Sequence, residues 1–146
     1  MTEISFTVPG IPQPRQAHKL SRKGGKVWKY LPAKSRVYQD RISAYGLMEM
    51  RKRKLKPLGG AIALEVLFVF PAPERQRKAQ REAIERGKFL PYLSKDIDNT
   101  LKCLLDGLKG IVIIDDRFVV DLGASKRMGK TPATIITVRT IAEEAK

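Results

Sequence analysis

The hydrophobic residues of this chain follow two different spacings, and these spacings constrain the fold more than any other feature. Within 4–8 and again within 62–70 the larger hydrophobic side chains alternate along the chain, which predicts strands with a buried face. Within 101–108 the leucines recur at intervals of three and four, which predicts an amphipathic helix closed by Gly110. At 146 residues the chain suits one domain and is short for two. We therefore expect a single small α+β domain over residues 1–146.

A second main helix is predicted after position 35, with Ser35 as its cap and about five turns before the basic run 51–54. Its apolar stripe consists of Tyr38, Ile42, Tyr45 and Met48. The charged stretch 74–88 has almost no apolar residues, which predicts an exposed helix. Further strands are expected at 111–114, 118–122 and 133–141. Together these elements predict a mixed β-sheet packed with two main helices.

Positive charge is concentrated in the first part of the chain. Residues 1–60 carry 14 basic and 3 acidic side chains, whereas 96–146 carry eight of each. The segment 9–34 is rich in proline, glycine and cations, which predicts a flexible basic loop, with a hairpin around Gly24–Gly25 as one form of it. Cations release counterions from nucleic acid, so this distribution favours a nucleic-acid partner. A solubilising surface or a ribosomal-type structural role is the alternative that charge leaves open.

Rare residue types exclude several classes of protein. A single cysteine, Cys103, excludes an internal disulfide framework and a Cys-rich zinc site, and a single histidine, His18, excludes multi-His metal sites. No apolar run approaches the roughly 20 residues of a membrane span, and the first residues lack the pattern of a signal peptide. We expect a cytoplasmic protein that does not contact a membrane.

The aspartates are clustered in this otherwise basic chain, since six of seven lie in 96–121. In an extended segment alternate side chains share a face, so Asp96 and Asp98 would point the same way. Lys102 follows Asp98 by four residues, which is one helical turn. The start of the leucine helix therefore combines two carboxylates with a lysine.

A third carboxylate is expected to join them. The helix from Asp98 runs about 16 Å, and the predicted strand after it returns by about 17–20 Å. Asp115 or Asp116 would then reach the level of Asp96. Carboxylates gathered so closely repel one another unless a cation lies between them, and an all-oxygen set suits Mg²⁺, with Mn²⁺ as a substitute.

Each of these residues also has a simpler interpretation. Asp98 could cap the helix, Asp115 and Asp116 could form a turn, and Lys102 could pair with Asp98. The metal site is favoured because two separate segments, the start of the leucine helix and the Asp115–Asp116 pair, are both expected to bring carboxylates to the same position.

The acidic motif resembles that of the RusA family of Holliday junction resolvases, many of which are encoded by prophages. The resemblance consists of the run 96–102, which reads Asp-Ile-Asp-Asn-Thr-Leu-Lys, then Leu-Asp-Gly-Leu at 105–108, then the Asp115–Asp116 pair. The proline-rich basic loop after the first strand is also similar. The family usually has Leu where this chain has Thr100.

The resemblance implies a homodimer that binds four-way DNA junctions in recombination and repair, and nicks two strands symmetrically by Mg²⁺-dependent hydrolysis. It implies that Asp96, Asp98 and Asp116 hold the metal and that Lys102 is needed for cleavage. It also implies that Asn99 and Asp115 support the metal ligands without contacting the metal. The residues expected to bind DNA are Arg15, Lys19, Arg22, Lys23, Lys26, Lys29 and Lys95.

Three questions stay open at this point. Trp28 or Tyr30 could stack on bases at an opened junction, or could only hold the basic loop in place. A Mg²⁺ nuclease acting on flaps, forks or duplex DNA would need the same acidic motif. A basic protein that binds nucleic acid without cleaving it would need no carboxylate cluster at all.

Overall fold

The computed structural model describes residues 2–16, 19–30, 32–72, 78–86 and 96–141. His18, Lys95, the Tyr30 side chain and much of the charged segment 74–93 lie outside this description. The elements are the strands β1 (Glu3–Pro9), β2 (Lys19–Lys23), β3 (Lys26–Tyr30), β4 (Ile62–Pro71), β5 (Val119–Gly129) and β6 (Ala133–Thr140), and the helices α1 (Ala33–Lys52), α2 (Lys78–Glu85) and α3 (Ile97–Leu108). The α+β prediction is confirmed. No helix among the described residues is long and apolar enough to cross a membrane.

The main sheet has four strands in the order β1-β6-β4-β5. β6 is antiparallel to both of its neighbours, and β5 is parallel to β4, so the predicted mixed sheet is confirmed. The alternation along β4 directs side chains such as Phe68 into the core. On that side α1 contributes Ile42 and α3 contributes Leu104 and Leu108, all fully buried. The core therefore lies between one face of the sheet and two helices.

The segment 9–34 contains a β-ribbon made of β2 and β3, which pair with each other and with no other described strand. Gly24 and Gly25 form its two-residue turn with φ of 58° and 77°. Positive φ at both central residues matches the right-handed twist of a hairpin, and glycine adopts it without a steric cost. The predicted hairpin is confirmed.

The prediction that Ser35 caps α1 is wrong, because the helix begins at Ala33 after Pro32. Ser35 is buried in the first turn, where its Oγ donates to the Pro14 carbonyl at 2.8 Å and accepts from the Gln16 N–H at 3.3 Å. Its hydroxyl therefore holds the segment that leads to the ribbon, and is not available to the helix end.

The helical stripe of α1 is partly different from the predicted one. Tyr38 and Ile42 are buried as expected, but Met48 is 64% exposed and Met50 is buried instead. The buried residues of α1 are those that face α3 and β1. The spacing of apolar residues within one helix does not show where these neighbours lie.

The strand predicted at 111–114 is a compact turn. The N–H groups of Val112 and Ile113 both donate hydrogen bonds to the Leu108 carbonyl oxygen, with N···O distances of 2.9 and 3.2 Å. Leu58 holds the turn from outside, since its N–H donates to Val112 and its carbonyl accepts from Ile114. A short apolar run suits a buried turn as well as a buried strand, and its length alone does not separate the two.

The other predicted elements are found with changed bounds. β5 continues to Gly129, beyond the predicted end at 122, because it pairs along the whole of β4. The helix expected within 74–88 is described over Lys78–Glu85, and its described side chains are exposed or half-buried.

Gly107→Ala is expected to destabilise the fold by about 1–3 kcal/mol, because α1 and α3 touch at this residue. A Cβ on Gly107 would lie 2.8 Å from the Ile42 Cβ and 2.9 Å from the Gln39 carbonyl oxygen, so a helix must move. Urea unfolding of the variant and the wild type measures the effect.

Gly123→Ala is the matched control, since its new Cβ would meet only the Glu65 side chain at 3.4 Å. Equal unfolding midpoints for Gly107→Ala and the wild type would contradict close helix packing here.

Candidate active site

The two aspartates of the acidic motif lie at the start of α3. Asp96 immediately precedes the helix with extended backbone (φ −60°, ψ 133°), and its side chain makes no capping hydrogen bond. Asp98 lies in the first turn, where its Oδ1 accepts from the Asn99 N–H at 2.8 Å. Both residues are exposed. The interpretation of Asp98 as the helix cap is wrong, because the cap position belongs to Asp96.

Thr100 holds the backbone of Asp96 in place. Its hydroxyl is buried and donates to the Asp96 carbonyl at 2.7 Å, and its N–H donates to the same oxygen at 3.2 Å. Leucine at this position could not make the hydroxyl bond. Sequence reasoning did not assign Thr100 a role, although its departure from the usual leucine was the available signal.

Lys102 lies one turn beyond Asp98 and is exposed. The next two residues, Cys103 and Leu104, are fully buried against the core. The amphipathic pattern of α3 therefore places Lys102 on the solvent side.

Asp115 and Asp116 have different surroundings. The Asp115 carboxylate accepts from the Arg117 N–H at 3.0 Å and pairs with the Lys109 ammonium at 3.6 Å. The Arg117 backbone hydrogen bond, a side-chain hydrogen bond with Asp116 and the nearby positive charge of Lys109 together hold the pKa of Asp115 below its ordinary value. Asp116 is exposed and begins a short 3₁₀ turn that Asp115 caps.

The structure does not bring Asp116 into one cluster with Asp96 and Asp98. Among the described residues no three His, Cys, Asp or Glu side chains lie close enough to hold one metal ion. The reason is the turn at 111–114, because the chain does not run back along α3 as a strand would. Asp115 instead pairs with Lys109, which directly follows the far end of α3.

The donor chemistry of Asp96 and Asp98 fits a hard divalent cation. Both are exposed carboxylates, and no cation of the described residues lies within 4 Å of either one. Oxygen donors that keep access to water suit Mg²⁺, which retains part of its hydration shell. Asp116 is an exposed oxygen donor of the same kind.

The segment before the ribbon is attached to α3 beside these residues. The Arg15 N–H donates to the Asn99 carbonyl at 2.8 Å, and the Arg15 Nε lies 3.5 Å from the Asp106 carboxylate. Arg15 is among the residues expected to bind DNA, and here it pairs with Asp106. Their pairing shows that Arg15 also fastens the loop to the helix.

Five of the predicted DNA-binding residues lie on the ribbon and are exposed. They are Lys19, Arg22, Lys23, Lys26 and Lys29. The segment 14–16, which precedes the ribbon in the chain, is held by Ser35 and by Asn99 of α3.

Comparison with known proteins connects this arrangement to a family. The family model described as "Endodeoxyribonuclease RusA" matches residues 9–139. A protein of Bacillus subtilis (strain 168), named "Uncharacterized protein YqaN", is 29% identical over 140 residues, which cover 94% of this chain and 96% of that protein. The family match extends from the proline-rich loop through the acidic motif to the last strand, and the chain belongs to the RusA family of endodeoxyribonucleases.

Proposed function

We propose that this protein is a Mg²⁺-dependent endonuclease that resolves four-way DNA junctions by paired symmetric nicks in cytoplasmic DNA recombination and repair. Family membership supports endodeoxyribonuclease activity. The observation that carries the proposal is the pair of exposed carboxylates at the start of α3, together with the hydrogen bond that fastens to α3 the segment leading to a strongly cationic ribbon. Carboxylates next to a DNA-binding surface would only repel phosphates unless a metal ion neutralised them.

The reaction would use few side chains. Asp96, Asp98 and Asp116 would hold Mg²⁺, or Mn²⁺ in its place; because the three do not form one cluster in this structure, Asp116 would have to approach the other two to complete the site. The bound ion would supply Lewis-acid activation of the phosphate and of a water. Lys102 would stabilise the negative charge that develops on the phosphate. Thr100 would keep Asp96 in position through the hydrogen bonds to its carbonyl. Asn99 and Asp115 would support the ligands without touching the metal.

DNA binding would rest on the ribbon. Its five cations are exposed and would contact backbone phosphates, which fixes the position of DNA but does not read its sequence. Arg15 would contribute only part of its charge, because Asp106 already lies beside it. Lys95 would add a contact next to Asp96.

In this proposal the protein acts as a homodimer. One active site cuts one strand, so two symmetric nicks in a four-way junction require two copies related by a two-fold axis. Branched DNA with the same symmetry is therefore the expected partner.

The test is a cleavage assay on three labelled DNAs of matched sequence: a four-way junction, a flap and a linear duplex. We expect paired nicks in the junction at millimolar Mg²⁺, little cleavage of the duplex, and none of any substrate after chelation of the metal. Similar cleavage rates on all three DNAs would show that the protein is a nuclease of broader specificity and not a junction resolvase. Binding without cleavage at any Mg²⁺ or Mn²⁺ concentration would contradict the proposal.

A further inference from the structure

The ribbon has two faces with different side chains. In an antiparallel pair, residues opposite each other share a face. The register pairs Ser21 with Trp28 and Lys23 with Lys26, so these four residues share one face, which we call the tryptophan face. The opposite face carries Leu20, Arg22, Val27 and Lys29.

The tryptophan face has an unbalanced positive charge. Lys23 lies directly opposite Lys26, and like charges opposite each other destabilise a hairpin. Residues 19–30 contain five cations and no acidic residue, and no carboxylate of the described residues lies within 4 Å of these cations. A bound polyanion would remove this repulsion.

Trp28 lies on this face with 45% of its surface exposed. Its partner across the ribbon is Ser21, whose short side chain covers little of an indole ring. A two-stranded ribbon has no core of its own, so an exposed tryptophan here contributes little to folding. An aromatic ring beside cations is instead the arrangement that binds unpaired nucleotides, through stacking on a base and contacts to the flanking phosphates.

We infer that Trp28 stacks on a base left unpaired or unstacked at a DNA branch point, and that Lys23 and Lys26 contact the adjacent phosphates. This inference rests on the proposed function. Within a duplex the two faces of each base are covered by its neighbours, and a branch point exposes them. The ribbon would therefore favour branched DNA over duplex DNA.

The chain just before the ribbon is fastened next to the acidic residues. The Arg15 N–H is bound to the carbonyl of Asn99, which follows Asp98 in α3. Each five-residue strand of the ribbon spans about 16 Å, a length of roughly five nucleotide steps. The ribbon is therefore long enough to follow a DNA strand over several nucleotides.

Trp28 is the only tryptophan, so its fluorescence reports on this contact directly. The full-length protein is titrated without Mg²⁺ with a four-way junction and with linear duplex of matched sequence, and bound DNA is followed by the anisotropy of a label. We expect strong quenching at saturation with the junction and several-fold weaker quenching with the duplex. Trp28→Ala should weaken junction binding about tenfold, and Trp28→Phe should retain most of the affinity.

Two controls separate stacking from a change in ribbon structure. Val27→Ala removes an exposed side chain from the opposite face and should leave junction affinity within twofold. Because Trp28→Ala keeps all the cations, the salt dependence of its binding should match that of the wild type. A shallower salt dependence would mean that the ribbon itself is lost, and would overturn the inference.

Unchanged Trp28 fluorescence on a saturated junction, or equal quenching by junction and duplex, would also overturn it. If the wild type still cleaves the junction with Mg²⁺ in that case, the proposed function stands without this contact. Failure of the wild type to bind or cleave branched DNA would instead overturn the proposed function, and this inference with it.

Discussion

Asp98→Asn is expected to abolish junction cleavage while junction binding stays the same or becomes tighter. The substitution removes one negative charge from a proposed metal ligand and hardly changes its shape. Asp98 lies in the first turn of α3, where an asparagine oxygen can still accept from the Asn99 N–H, so the fold should be kept. Loss of metal activation would lower the cleavage rate by roughly a thousandfold.

The measurement combines single-turnover cleavage at millimolar Mg²⁺ with junction binding by anisotropy in the absence of metal. Asp121→Asn is the matched control, because Asp121 is an exposed acid on β5 outside the proposed site. It should cleave at the wild-type rate. A normal rate for Asp98→Asn, or an equal loss in both variants, would remove Asp98 from the site.

The second large effect is expected at Asp116, with a much smaller one at its neighbour. Asp116→Asn should lower cleavage roughly a thousandfold, as for the other proposed ligands. Asp115→Asn should lower it only about tenfold, because Asp115 is engaged by Arg117 and Lys109 and would support the metal ligands from outside. An asparagine oxygen at 115 can still accept from the Arg117 N–H.

Both variants are assayed on one junction over a range of Mg²⁺ concentrations. A ligand variant should stay inactive at every concentration, whereas a supporting residue should regain activity as Mg²⁺ rises. An inactive Asp115→Asn together with an active Asp116→Asn would exchange the two roles. Full activity of both would mean that neither acid takes part, and that Asp96 and Asp98 act with a different partner.

Local patterns were sufficient for most of the secondary structure. The alternation in β1 and β4, the leucine spacing in α3 and the Gly24–Gly25 turn each reflect an interaction within a few residues, and all are found where the sequence predicts them. The placement of Asp96 and Asp98 at the start of α3 could be predicted for the same reason. Their proposed role rests on the family motif, which joins positions that local pattern alone cannot connect.

Other features depend on contacts between segments far apart in the chain. Ser35 has the chemistry of a helix cap, but the backbone at Pro14 and Gln16 engages its hydroxyl. Arg15 has the charge of a DNA-binding residue and also pairs with Asp106. Neither partner is visible in the spacing around these residues, because each comes from another element.

The chain after α3 shows most clearly the difference between features set by local pattern and features set by contacts with other segments. The apolar run at 111–114 indicated burial, and Val112 and Ile113 are indeed fully buried. Whether such a run forms a strand or a turn depends on which backbone groups are within reach, and here Leu108 and Leu58 provide them. The helices, the acidic motif and the strands of the main sheet could be predicted because they depend on residues close together in the chain. How the chain turns after α3, and with it where Asp115 and Asp116 lie, depends on contacts such as those with Leu58, which no local pattern shows.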